Sequence, residues 1–253
     1  MIKNYKNFFY VYETSKSGNL KSKSASFAKK YKNATYSHSE GISGETYGIV
    51  TKNFYNKLLP LSEIKENIEK FLIYAEKNQQ IDFFISKIAC NEGEYEDYQI
   101  APLFKYHSEN CIFPADWFKY LKIKNKKIFI FSDKDFEDFD FLKSTISFYT
   151  QNLEEFSFIH NDTNLCISNT LNSLQKDHNI EIFPLLNISS KSKEFVKILN
   201  FNQIIYYANY FIIIKNKNNI SADYLIDLCE EKNVNYRVVD YQKIIKNKSW
   251  YFL

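Results

Sequence analysis

Two rhythms of apolar residues run along the chain: short unbroken apolar runs, and longer stretches in which apolar positions return at helical spacing. The runs FFYVY (8–12), TYGIVT (46–51) and IDFFISKIAC (81–90) predict buried strands. Between them SASFAKKY (24–31) predicts a short helix. LSEIKENIEKFLIYAEKN (61–78) sets Leu61, Ile64, Ile68, Phe71, Leu72 and Ala75 on one helical face, with Ser62 as N-cap and Glu63 favourable in the first turn. QIAPLFKYHSEN (99–110) reads as helix apart from its proline, and CIFP (111–114) as a short strand.

From residue 127 onward the alternation becomes regular. Strands at 127–132, 155–160, 180–184, 210–216 and 235–241 are separated by the helical patterns at 138–151, 164–178, 192–200 and 221–233. That order implies right-handed βαβ crossovers, a mostly parallel sheet and helices on both faces. Ligands of such folds sit at the carboxyl ends of the strands, where the crossovers reverse. The lysine-rich, apolar-poor interval 122–127 is the best boundary, so the expected fold is α/β, in two three-layer α/β domains over 1–122 and 123–253.

Composition narrows the class. With 253 residues, 45% hydrophobic and 18% aromatic, the chain carries enough apolar surface for substantial cores, which excludes disorder. Its 33 basic and 30 acidic residues are spread along the whole length, so nucleic-acid binding is disfavoured. Arg237 is the sole arginine, and any phosphate contact must come from lysine, hydroxyls or backbone NH groups. Cys90, Cys111, Cys166 and Cys229 lie far apart without the paired spacing of a zinc site or a disulfide framework; they read as core thiols. The N-terminal apolar run is too short for a signal peptide and no segment is long enough to span a bilayer, so a cytoplasmic protein without a membrane partner, metal or cofactor is expected.

Candidate chemistry gathers at the predicted loops. Three of the five glycines, Gly41, Gly44 and Gly48, fall in YSHSEGISGETYGIVTK (36–52), beside His38, Ser39, Glu40 and Glu45. Glycine admits positive φ or a ligand lying on the main chain, so the stretch is either a binding loop or a set of turns. His38 and Glu40 read as an acid/base or ribose-binding pair, or as solvated loop residues. Thr51 and Lys52 close one strand, and Cys90 and Asn91 close another; each pair either faces a ligand edge or is ordinary surface and core. Asp133, Lys134 and Asp135 stand at a strand-to-helix turn, where they meet a ligand or cap the helix, as Asp138 also can. His160, Asn161, Asp162 and Asn164 end the next strand. No catalytic residue is assigned.

Two resemblances rest on these segments. Residues 8–118, through FYVYETSKSG, SHSEGISGETYGIVTKN, LPLSEIKENIEKFLIYA, FFISKIACNEGEYEDYQIAPLFK and NCIFPADW, resemble a small bacterial and phage-associated family with a macro-domain-like α/β fold. Residues 127–241, through KIFIFSDKDFEDFDFLK, YYANYFIII and LIDLCEEKNVNYRVVDY, resemble a SLOG-type, Rossmann-like domain. Both resemblances imply nucleotide ligands of the ADP-ribose kind, in conflict between bacteria and phages. The loop glycines of both families are largely replaced here. Tyr12, Glu13, Thr14 and Ser15 occupy the first turn, Gly18 remains, Lys21 and Lys23 stand at glycine positions, and His160 to Asn164 replace a phosphate loop. A Cβ or a carboxylate in such a loop obstructs or repels phosphate. The expectation is therefore a degenerate, non-enzymatic protein that binds or senses a nucleotide-derived small molecule. The alternatives are an ADP-ribosyl or N-glycosidic hydrolase using Glu40 or His38, and a scaffold acting through a protein partner or a second copy.

Overall fold

Strands that bury both faces organise the chain into two sheets. The computed structural model describes residues 2–5, 8–90, 95–133, 135–161, 164–183, 193–216 and 219–241. In chain order the elements are β1 (Ile2–Asn4), β2 (Phe8–Ser15), α1 (Lys23–Lys32), β3 (Gly41–Ile42), β4 (Thr46–Lys52), α2 (Leu61–Lys77), β5 (Asp82–Ile85), α3 (Asp97–Ile100), β6 (Cys111–Ile112) and α4 (Phe118–Leu121). They continue with β7 (Lys126–Ser132), α5 (Phe139–Thr150), β8 (Phe156–His160), α6 (Leu165–Ser173), β9 (Asn179–Ile182), α7 (Lys193–Ile204), β10 (Tyr210–Lys215), α8 (Ile220–Glu231) and β11 (Asn235–Asp240).

The larger sheet is wholly parallel, in the order β1-β9-β8-β7-β10-β11. Its strands read as continuous apolar runs because alternate residues enter different cores. Ile128, Ile130, Phe158, Ile212 and Ile214 pack with Leu142 and Ile146 of α5 and Ile167 and Leu171 of α6. Phe129, Phe131, Phe211 and Ile213 pack with Phe201 and Ile204 of α7 and Leu225 and Leu228 of α8. Without β1, the strand order is that of a Rossmann-like sheet, reversing between β7 and β10.

The second sheet has the order β3-β4-β2-β5-β6, with β3 antiparallel and the other pairs parallel. Val11, Ile49, Phe83 and Ile85 face Ile64, Ile68, Phe71 and Ala75 of α2. Tyr10, Tyr12, Phe84 and Ile112 face the other way, against Ala25 and Ala28 of α1, in the same continuous core that holds Phe129 and Phe211. Phe84 is the junction: its ring meets those of Tyr5, Phe8, Phe183 and Tyr207 edge-on, with centroids 4.9–5.5 Å apart.

Several boundaries depart from the periodic reading. β1 and β3 are too short to show a rhythm, and β1 joins the sheet built by the C-terminal half, pairing Ile2 with Ile180 and Asn4 with Ile182. α2 starts at Leu61 behind Pro60 (φ −55, ψ 148) with no side-chain cap bond, so Ser62 lies within the first turn rather than at the cap. The proline's fixed φ supplies the boundary. β5 stops at Ile85, and the rest of the run 81–90 turns back through Ala89 at φ 55. In 99–110 only the start is α-helical; Ala101–Phe104, with Pro102 inside it, tightens to a 3-10 turn. β9 ends at Ile182, and Pro184, which was expected to close this strand, lies outside the described residues. Among the described residues no helix is long and apolar enough to cross a membrane.

Candidate functional site

β2 and β4 run side by side, and their carboxyl ends open on a cavity of about 230 Å³ beside the point where the second sheet reverses direction. The wall is the loop that follows β2. Gly18, at φ +65, turns it; a Cβ there would come within 2.4 Å of the Ser37 carbonyl carbon, so no other residue fits this position. The Gly18 N–H donates to the Ser15 carbonyl at 2.8 Å, and the Asn19 N–H donates to Ser15 Oγ at 3.1 Å. The Lys16 N–H donates to the Lys52 carbonyl at 2.8 Å, tying this loop to the end of β4. Ser22 caps α1 by accepting from the Ala25 N–H, which places the start of that helix on the cavity rim.

The floor is rich in oxygen acceptors. Glu13 is 2% exposed, and its Oε2 accepts the Ala89 N–H at 2.9 Å, linking the two strand ends at the reversal. Thr14 is 3% exposed, and its Oγ1 has no hydrogen-bond partner among the described residues. Asn19 Oδ1 is likewise buried without a partner, while its Nδ2 donates to Asn56 Oδ1 at 3.4 Å. The lysines Lys21 and Lys52 line the same space. A ligand entering here meets buried acceptors below and ammonium groups alongside.

Of the residues expected from sequence, Lys52 lines the cavity, and Thr51 supports it from behind, its Oγ1 donating to the Thr14 carbonyl at 3.4 Å. The glycines build a hairpin elsewhere. Gly41 (φ +86) pairs with Gly48 across β3 and β4, and a Cβ on Gly44 (φ +60) would lie 2.5 Å from the Asn33 carbonyl oxygen. Because the Glu45 N–H donates to the Lys32 carbonyl, this hairpin packs on the C-terminal end of α1, whereas the cavity lies at its N-terminal end. The carbonyl of Ser39 sits over Gly48, and the Glu40 carboxylate accepts from Lys70 Nζ at 2.7 Å. Asn91, Lys134 and Asp162 lie outside the described residues.

The Rossmann-like edge is laced shut by side chains. Asn219 caps α8, accepting the Ser221 and Ala222 N–H groups at 3.0 Å each, and its Nδ2 donates to Asp133 across the reversal between β7 and β10. Asn164 caps α6 through the Ile167 N–H at 2.9 Å and donates to the carbonyls of Asp133 (2.6 Å) and Phe136 (3.1 Å). Asp138 caps α5. Burial pushes the Asp133 carboxyl up despite the Asn216 backbone and Lys197. His160 is 1% exposed with Nδ1 3.4 Å from Ser168 Oγ, and Asn161 directly follows it at the end of β8. The structure thus brings Asp133 together with Asn164 and Asn219, the latter two acting as caps.

Cys90 is pushed up to about 12, by burial first and then by the neighbouring Asp97 carboxylate, which holds it as a thiol at neutral pH. Among the described residues no group of three or more His, Cys, Asp or Glu side chains could hold a metal ion. Sequence reasoning left Asn19, Ser22 and Asn56 out of the site. For Asn19 and Ser22 the signal was the serine-rich loop after FFYVYETS, which ends in the cap of α1, whereas Asn56 lies in the turn after β4. No family model and no curated protein matches this chain.

Proposed function

We propose that this chain binds a nucleotide-derived small molecule of the ADP-ribose class as a sensor rather than a catalyst, with one ribose in the cavity of about 230 Å³ above β2 and β4 and the rest of the molecule outside it. The observation that carries this reading is the pairing of buried, partnerless oxygens, Thr14 Oγ1 and Asn19 Oδ1, with Lys21 and Lys52 around one opening. Ribose hydroxyls donate to such oxygens, and phosphate seeks the ammonium groups. Glu13 sets the orientation. A phosphate 4 Å from its carboxylate would lose about 1 kcal/mol in bulk water and several times that in a dry site, so the sugar points inward and the phosphates outward. The bacterial and phage setting of the two resembling families supports a sensing role. Nothing in the geometry favours the hydrolase alternative, since Glu40 is engaged by Lys70 on the surface. Titration calorimetry with ADP-ribose tests the proposal. Heat of binding that weakens about ten-fold or more in the Lys21→Ala, Lys52→Ala double variant is expected; no heat at millimolar ligand, or binding indifferent to both lysines, refutes it.

A further inference from the structure

We propose that a second cavity, between the two sheets, is a binding site for a single flat heteroaromatic ring of nucleobase size. It measures about 220 Å³ and shares no lining residue with the cavity above β2 and β4, so this inference does not depend on the reading of that site. Sites for drug-sized ligands run to about 300–1,000 Å³, which limits this one to a ring system.

Its walls come from both halves of the chain. Tyr10 of β2 and Phe27 of α1 stand with ring centroids 4.7 Å apart, and Tyr206 and Tyr207 follow α7. Two bonds hold the halves together here: the Tyr207 hydroxyl donates to the Ile85 carbonyl at 3.1 Å, and the Ala115 N–H donates to the Tyr206 carbonyl at 2.7 Å. Aromatic walls offer ring faces for stacking. Polar groups then select what stacks. Ser86 is 7% exposed, and its Oγ lies beside the Tyr10 hydroxyl without a hydrogen bond of ordinary geometry. Asn202 uses its Nδ2 on the Ile198 carbonyl (2.9 Å) and the Tyr224 hydroxyl (2.7 Å), which leaves its amide oxygen as an acceptor; Gln203 adds a second amide. Hydroxyls and amides that both donate and accept match the edge of a heteroaromatic base and have no use for a hydrocarbon ring. A polyphosphate is poorly matched, because of the two lysines at this wall Lys87 is neutralised by Asp97 at 2.9 Å and Asp116 at 2.8 Å, which leaves only Lys23 to meet a phosphate.

The test is saturation-transfer NMR on the full chain with adenosine, guanosine, cytidine and uridine, and with ribose as the control that lacks a base. Transfer to the base protons of at least one nucleoside, and none to ribose, is expected. Tyr206 is 39% exposed and Gln203 half-buried, so Tyr206→Ala and Gln203→Ala can be made without emptying the core; circular dichroism confirms their fold. Loss of one stacking partner raises Kd about ten-fold in Tyr206→Ala. Absence of transfer to any base overturns the proposal, as does a Kd unchanged in both variants. Binding abolished by Lys52→Ala but intact in Tyr206→Ala would put the ring in the other cavity, and overturns it equally.

Discussion

Replacing Glu181 with Gln should cost about 3–5 kcal/mol of stability and loosen the N-terminal strand. Glu181 lies on β9, 7% exposed, and its carboxylate accepts from Lys127 Nζ at 2.7 Å, the Tyr5 hydroxyl at 2.6 Å and Ser157 Oγ at 2.9 Å. Burial alone would push this carboxyl up. The Lys127 ammonium and the two hydroxyl donors outweigh it, so the group titrates below its usual range. The amide keeps an acceptor for one hydroxyl but leaves Lys127, 12% exposed, as a buried charge without its counterion. Breaking a buried pair in this way costs about 3–5 kcal/mol, a large part of the roughly 5–15 kcal/mol that holds a domain folded.

Denaturant unfolding of the wild type, Glu181→Gln, Glu181→Leu, Lys127→Met and the Glu181→Leu, Lys127→Met double variant measures the effect, the last three closing a cycle with the wild type. The double variant should be less destabilised than the sum of singles, because removing both charges leaves neither stranded. The pH dependence has a definite sign. A carboxyl whose folded value is depressed contributes fully above the unfolded range, near pH ~4.3, and its contribution disappears as pH falls through the folded value. The gap between wild type and Glu181→Gln should therefore narrow in acid. Tyr5 ties β1 to this cluster, so amides of residues 2–5 should exchange faster with deuterium in the variant. A loss under about 1 kcal/mol with an unchanged m-value, or strictly additive singles, would refute the reasoning.

Two further outcomes are expected. Asn164→Ala should cost more than the ~1 kcal/mol of a lost cap, since two carbonyl bonds go with it, whereas Asn164→Asp should keep the cap and lose only the donors; equal thermal melts for the two variants would contradict this division. Phe84→Ala should destabilise by about 3–5 kcal/mol and unfold both sheets together in one calorimetric transition, because the ring packs on residues of each; two separated transitions would count against a shared core.

Much of the architecture was readable because both sheets are largely parallel and buried on both faces. Strands such as 127–132 and 210–216 then appear as plain apolar runs, and α2 shows its stripe from Leu61 to Ala75 without ambiguity. What escaped was local or remote. β1 has three residues, too few for a period, and its partner is more than 170 residues away. The glycines are more instructive. Clustered glycines drew attention to 41–48, yet Gly41 and Gly44 serve a tight hairpin, while the cavity is shaped by the isolated Gly18. A glycine held by a steric clash with Ser37 looks, in one dimension, like any other.

The two sheet edges differ in how their helix N-termini are satisfied, and this difference bears on which of them is open. At the Rossmann-like edge, Asp138, Asn164 and Asn219 occupy the positions before α5, α6 and α8, and their side chains satisfy the first N–H groups of those helices. An anion arriving there would have to displace a bonded side chain for each N–H it gained, so the helix ends have little left to offer it. At the edge of the second sheet Ser22 caps α1, while Thr14 Oγ1 at the end of β2 and Asn19 Oδ1 in the loop after it are buried without partners among the described residues. Buried polar oxygens in that condition are costly, on the order of 1–3 kcal/mol each, and a ligand that supplies donors recovers that cost as affinity. On the proposed reading, a sugar, which brings several donors, therefore suits the second sheet's cavity better than a bare phosphate does.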